Sequence, residues 1–297
     1  VDPSAALALQ AAILIMGMAT LLIANQASRR GSPLLAILGR WSRWLFFSLL
    51  AAGSFHLFQW SSYPVPILFG VALLAFFLLE TLYNWMAISA LSKSELPLFP
   101  HYEENLSGEE WPNEPTFISL RDWLRKKGFQ RQQALAASLG DTTLMRISCY
   151  DSTDHTIRLQ ILLLPNEKGR SAACISFLSC TKDGKTLLTD NVFLPFGGFY
   201  PDAWLVERRP WTRSIDKLFQ RHQERMDAAA TTFLPHTLPP LEQIRRDQHQ
   251  LESLNIELGF LHPIHDQEEL GRLTPAAKAR VWQEVWTLAY FGLPLAY

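Results

Sequence analysis

The sequence predicts three transmembrane helices followed by a cytoplasmic α+β domain, in which a four-stranded antiparallel meander is flanked by helices. Three observations lead there. The run from Val65 to Leu79 is uncharged, and only Glu80 interrupts the apolar stretch before Lys93. About 20 apolar residues cross a hydrocarbon core of about 30 Å. Two further apolar runs precede this one, and the charges concentrate on its C-terminal side: residues 95–297 carry 22 Lys+Arg and 26 Asp+Glu. The predicted division is a three-helix membrane domain over 1–94, a linker over 95–116 and a soluble domain over 117–297.

The first span runs from about Ala5 to Ala24. No Lys or Arg precedes it and Arg29 and Arg30 follow it, a charge order that suits a retained anchor rather than a cleaved leader. A loop over 25–43 carries Arg29, Arg30, Arg40 and Arg43. The second span covers Trp44–Trp60, an uncharged turn covers Ser61–Pro66, and the third span returns. An excess of arginine marks the cytoplasmic side. The expected setting is therefore a bacterial inner membrane, with the N-terminus outside and the C-terminal domain in the cytoplasm. Trp41, Trp44, Trp60, Tyr63, Tyr83 and Trp85 fall near the expected interfaces, where amphipathic rings are favoured.

Pro, Glu and Asn dominate the linker. Ser119 reads as the cap of a helix whose apolar stripe is Leu120, Trp123 and Leu124, ended by Gly128. Gln130–Leu139 reads as a second short helix closed by Gly140. Strand patterns come next, at Thr142–Tyr150, His155–Leu164, Arg170–Thr181 and Thr186–Val192. Strict alternation of Ile157, Leu159, Ile161 and Leu163 defines the second, turns at Asp151–Asp154 and Asn166–Gly169 separate the first three, and Lys182-Asp183-Gly184-Lys185 is a hairpin signal. Short connections imply a meander with helices on one face. Residues 193–212 form a loop rich in Pro, Gly and large rings that need burial. Helices are predicted over Thr212–Ala229 and Leu241–Leu258, and a third from the Thr274-Pro275 start signal.

Candidate chemistry is sparse. Glu80 is costly in a hydrocarbon span and calls for a polar partner or another subunit; Tyr83 and Asn84, on the same stretch, are the nearest candidates. His56 is the other ionisable group in the spans and the one candidate cofactor ligand. No second span histidine is present to complete a bis-histidine haem, and no cofactor is named by the sequence. His262, His265, Asp266, Glu268 and Glu269 cluster as HPIHDQEE, but Pro263 spoils helical presentation of the two rings, so a solvated loop is expected and no metal site is assigned. Arg208, Arg209, Arg213, Arg221 and Arg225 form a candidate basic patch for lipid or partner. Phe196, Phe199, Tyr200, Trp204, Trp211, Phe291 and Tyr297 are candidate docking aromatics.

The three cysteines, Cys149, Cys174 and Cys180, make no C-x-x-C pair and read as reduced packing thiols. Nucleophile-elbow, P-loop, dinucleotide-binding and H-E-x-x-H signatures are absent from the sequence. The formal charge of −4 on residues 95–297 does not suggest nucleic acid as a partner. The expected role is that of an anchoring or scaffold subunit whose cytoplasmic domain docks other subunits of a membrane complex, with the lipid bilayer as its other partner. Two alternatives remain. One is a membrane-bound enzyme or ligand sensor with a pocket between meander and helices, near Arg146, Arg158, Gln160 and Asp190. The other is an ion- or electron-transfer subunit using Glu80 and His56.

Overall fold

The computed structural model describes residues 3–30, 32–108, 111–139, 143–165 and 171–295. The turn expected at Asn166–Gly169, together with Gly140, Thr142 and Tyr297, lies outside those residues. The chain forms two compact units. One combines the residues up to Ala90 with Val281–Leu295; the other is Leu91–Arg280.

The first unit contains three helices long and apolar enough to cross a membrane: α1 (Pro3–Arg30), α2 (Pro33–Leu57) and α3 (Val65–Lys93). Helix α2 begins well before the expected Trp44, because Pro33 suits a first helical turn. Arg40 and Arg43 therefore lie on α2 and not in a loop. Helices α1 and α2 approach closely where glycine leaves room. A Cβ on Gly53 would stand 2.6 Å from Ile13 Cδ1, and one on Gly17 would stand 2.9 Å from the Phe46 ring. The C-terminal stretch joins this unit: the end of the helix Pro275–Trp286 and the π-helical turn Thr287–Phe291 pack on α2.

In the second unit the predicted meander is the centre of a larger sheet. The strands are β1 (Glu103–Glu104), β2 (Gln130–Leu139), β3 (Thr143–Asp151), β4 (Arg158–Pro165), β5 (Ser171–Thr181), β6 (Thr186–Asp190), β7 (Trp204–Arg208) and β8 (Phe233–Leu234). Strands β1 to β7 lie in chain order and β8 pairs with β5. All pairings are antiparallel except β6 with β7, which is parallel. Two expectations are corrected. Gln130–Leu139 is a strand, not a helix, because its Leu135 and Ala137 side chains, two apart, are buried on one face. Within the loop 193–212, Trp204–Arg208 adds a parallel strand.

Helices cover both faces of the sheet, not one. Helices α4 (Pro115–Lys127) and α5 (Ile215–Ala228) cover one face, where Leu120, Leu124, Leu218 and Phe219 meet Leu159, Ile161 and Phe177. Helix α6 (Pro240–Glu257) covers the other, with Ile244 against Leu135, Ile147 and Cys149. Helix α4 starts four residues before Ser119, whose hydroxyl bonds the Pro115 carbonyl. Gly128, at φ 73°, ends it.

Candidate functional site

The alternation of β4 decides what meets α6. Leu159, Ile161 and Leu163 point to α4 and α5, so Arg158 and Gln160 point the other way. Arg158 is 2% exposed and is paired in register with Asp151, also 2% exposed. Its Nε and one terminal nitrogen donate to the two Asp151 oxygens at 2.8 and 2.9 Å. The other terminal nitrogen donates to Gln243 Oε1 at 2.6 Å and to the Leu238 carbonyl at 2.9 Å. The buried cation thus ties β3 to β4 and the sheet to the start of α6. A buried charge needs this degree of pairing to be tolerated.

This pair forms the floor of an open pocket of about 410 Å³. Gln132 and Gln133 line one side, His155 another, and the loop from His236 to Pro240 the third. His155 sits at φ 57°, a left-handed conformation uncommon for a residue with a Cβ. Its carbonyl accepts the His236 backbone N–H at 2.7 Å, and its Nδ1 is 3.7 Å from Asp151 Oδ2. Burial, reinforced by the Arg158 charge, pulls the His236 imidazole below its usual range, so the ring is neutral. Behind the pocket, burial pushes the Asp247 carboxyl up to about 6 despite Arg246, Gln243 and Arg158.

A second histidine cluster has nucleophile–base spacing but no access. His222 Nε2 is 3.0 Å from Ser179 Oγ, and its Nδ1 is 2.9 Å from Thr189 Oγ1. All three side chains are fully buried. Thr189 Oγ1 accepts from Arg225, so its own proton goes to Nδ1; Nε2 then carries the ring proton and donates to Ser179, which donates to the Thr156 carbonyl. Burial, then the nearby Arg225 charge, pulls His222 down to about 3. A sealed, neutral imidazole holding α5 to β5 and β6 is a structural group.

The first unit has its own polar centre. Tyr290 Oη donates to Glu80 Oε1 at 2.6 Å, Arg40 donates to the Ala289 carbonyl at 2.7 Å, and Trp41 Nε1 donates to the Tyr290 carbonyl at 3.0 Å. Around them Trp44 meets Phe76, Phe77, Trp286 and Tyr290 edge-on or tilted. Glu80 therefore takes its partner from the C-terminal segment and not from Tyr83 or Asn84; Tyr83 is 70% exposed. His56, in the last turn of α2, has no side-chain hydrogen bond among the described residues.

The five arginines do not form one patch. Arg208 points to the α6 side, 4% exposed and 3.6 Å from Asp190. Arg209, Arg221 and Arg225 gather around Glu207 on the α5 side. Burial opposes ionisation of Glu207, but hydrogen bonds from Arg221 and Arg209 hold its carboxyl below the usual range. Of the aromatic candidates, Phe196 and Phe199 pack on Phe260, and Tyr200 accepts from Arg208. The Trp204 ring lies tilted against that of Tyr200. Trp211 and Phe291 are the exposed ones. Arg146 lies on the face opposite Arg158, as the register of β3 requires. Burial pushes the Cys174 thiol up to about 11, consistent with packing. Among the described residues no group of three or more His, Cys, Asp or Glu is placed to hold a metal ion, the HPIHDQEE stretch included.

No protein-family model, no characterised protein and no solved structure matches the chain.

Proposed function

We propose that the chain is a membrane-anchored ligand-binding module, in which three spans hold a sheet domain that takes up a small hydrophilic ligand. The observation that carries this reading is the pocket over Asp151 and Arg158, whose lining joins two histidines and two glutamines to a fixed buried ion pair. Ligand sites join a rigid floor to a few convergent polar groups. The strained His155 backbone adds to the case, since such strain gathers at functional positions. Arg29, Arg30, Arg40 and Arg43 favour a cytoplasmic location for the α1–α2 junction and, after two further crossings, for the end of α3. In a bacterial inner membrane the pocket would then sample cytoplasmic solutes.

The test is native mass spectrometry of the full chain purified in a mild nonionic detergent. Wild type carries a small-molecule adduct, and Thr237→Trp, which fills the pocket from its exposed rim, does not. An unliganded wild type, or an adduct that survives Thr237→Trp, sinks the reading.

A docking subunit of a membrane complex is the second reading. It is favoured by the edge strand β7, beside which Leu194, Leu205 and Trp211 are exposed. Open edges accept partner strands. Fixed-stoichiometry co-purification that is lost on Leu205→Lys supports this reading against the first.

A further inference from the structure

We infer that a second groove, at the exit from α3, binds the phosphate of an anionic phospholipid headgroup. The groove has a volume of about 390 Å³. Leu98, Phe99 and Leu261 give it an apolar side, and Arg245, Arg272 and His249 give it a basic side. Neither guanidinium is in an ion pair among the described residues. Arg245 donates only to the Tyr102 carbonyl, at 3.2 Å, and its side chain is otherwise open to water. Arg272 donates to the carbonyls of Ser94 and Leu96 and, through its backbone, to that of Ser92. Two guanidiniums held only by backbone carbonyls therefore border one groove. Glu252, also on the lining, offsets one of the two.

An apolar wall beside unpaired cations suits an amphiphile better than a free ion. The covalent chain supplies the source. Helix α3 has 29 residues, about 43 Å at 1.5 Å each, which matches a bilayer of about 40–45 Å with its headgroups. Pro97, on the groove wall, comes four residues after Lys93 and so lies within about 14 Å of the helix end. The groove is thus tethered within reach of the headgroup layer, and the membrane is the committed source of its phosphate.

The experiment uses the full chain in nonionic detergent, with native mass spectrometry after addition of dihexanoyl phosphatidylglycerol, dihexanoyl phosphatidylcholine or inorganic phosphate. Wild type is expected to retain the phosphatidylglycerol over the phosphatidylcholine. Arg245→Gln should cut that retention about fivefold, the loss of one cation at an anionic surface. Arg246→Gln, one residue along and off the groove, should leave it unchanged. Arg245 also holds a carbonyl, so His249→Glu provides an independent variant: it adds a negative charge at an exposed position and should abolish the preference. Equal retention of the two lipids overturns the proposal, as does wild-type retention in either groove variant. Displacement of the lipid by an equal concentration of inorganic phosphate assigns the groove to a free anion and overturns the membrane source.

Discussion

Tyr290 and Glu80, 210 positions apart in the chain, share a 2.6 Å hydrogen bond in which the phenol donates to the carboxylate. The bond gives a partner to the acid that would otherwise be hardest to accommodate in α3. It also fastens the π-helical turn at the chain's end to a span.

Tyr290→Phe removes the donor and leaves the acceptor. Hydrogen bonds to charged groups contribute about 1.5–3 kcal/mol, neutral ones about 1. The variant should therefore unfold earlier on heating in nonionic detergent. The same change made on a Glu80→Gln background should cost less, because the acceptor is then neutral. Equal losses in the two backgrounds would mean that the carboxylate charge contributes nothing to the bond.

Asp151→Asn should be among the most damaging single changes in the sheet unit. It removes the only counter-charge paired, among the described residues, with a buried guanidinium, and breaking such a pair costs about 3–5 kcal/mol. Replacing both partners with apolar residues, Asp151→Leu with Arg158→Met, should recover much of that loss in denaturant titrations, although the bonds from Arg158 to Gln243 and Leu238 are gone. A double variant as unstable as the single would show that holding α6 is the larger part of the role.

Two buried groups make opposite contributions to the pH dependence of stability. His222, pulled down to about 3, adds stability that is fully present above the ordinary imidazole range and is lost as pH falls through 6.5 towards 3. Asp247, pushed up to about 6, adds stability that is present below pH 3.8 and is lost as pH rises through 6. Between about pH 4 and 6 their slopes oppose. Asp247→Asn removes the falling one, so the variant should gain on wild type by up to about 1.4 kcal/mol per pH unit across that window. Denaturant midpoints at half-unit intervals measure the difference, and a gap that stays constant with pH would refute it.

Asn255 acts as a backbone surrogate for the loop 193–203. Its side chain accepts the Phe199 N–H at 2.8 Å and donates to the Phe199 carbonyl at 2.9 Å, fully buried. Asn255→Ala would orphan both groups, at about 1–3 kcal/mol each. Gly198→Ala should loosen the same lock, because its Cβ would stand 2.5 Å from the Phe196 ring and 2.8 Å from Asn255 Oδ1. Both variants should show lowered denaturant midpoints, and an unchanged midpoint for Asn255→Ala would refute the lock.

Much of the architecture was legible where periodicity is strong. The alternation of Ile157, Leu159, Ile161 and Leu163 identifies β4, and uncharged runs identify α1 and α3. Each element that escaped did so for a physical reason. Strand β2 reads QRQQALAASL, with alanines where a strand usually shows branched residues, so its two-residue period is faint. Strand β7 is five residues long between Pro201 and Pro210, and its parallel pairing with β6 leaves no hairpin signal. Arg40 and Arg43 hid the first turns of α2. The pocket was legible only through Arg158. Asp151 looked like turn chemistry, and His236 owes its place to its backbone bond with His155, 81 positions earlier, which no local pattern encodes.

The return of Val281–Leu295 to the helical unit means that Leu91–Arg280 is bracketed by that unit at both of its ends. Severing the peptide chain once, near Pro97, would leave the sheet held to the spans through the packing of Val281–Leu295. Shedding it from the membrane would then take release of that packing or a second cut near Arg280. Truncation just before Val281 would strip Glu80 of its phenol while sparing every strand.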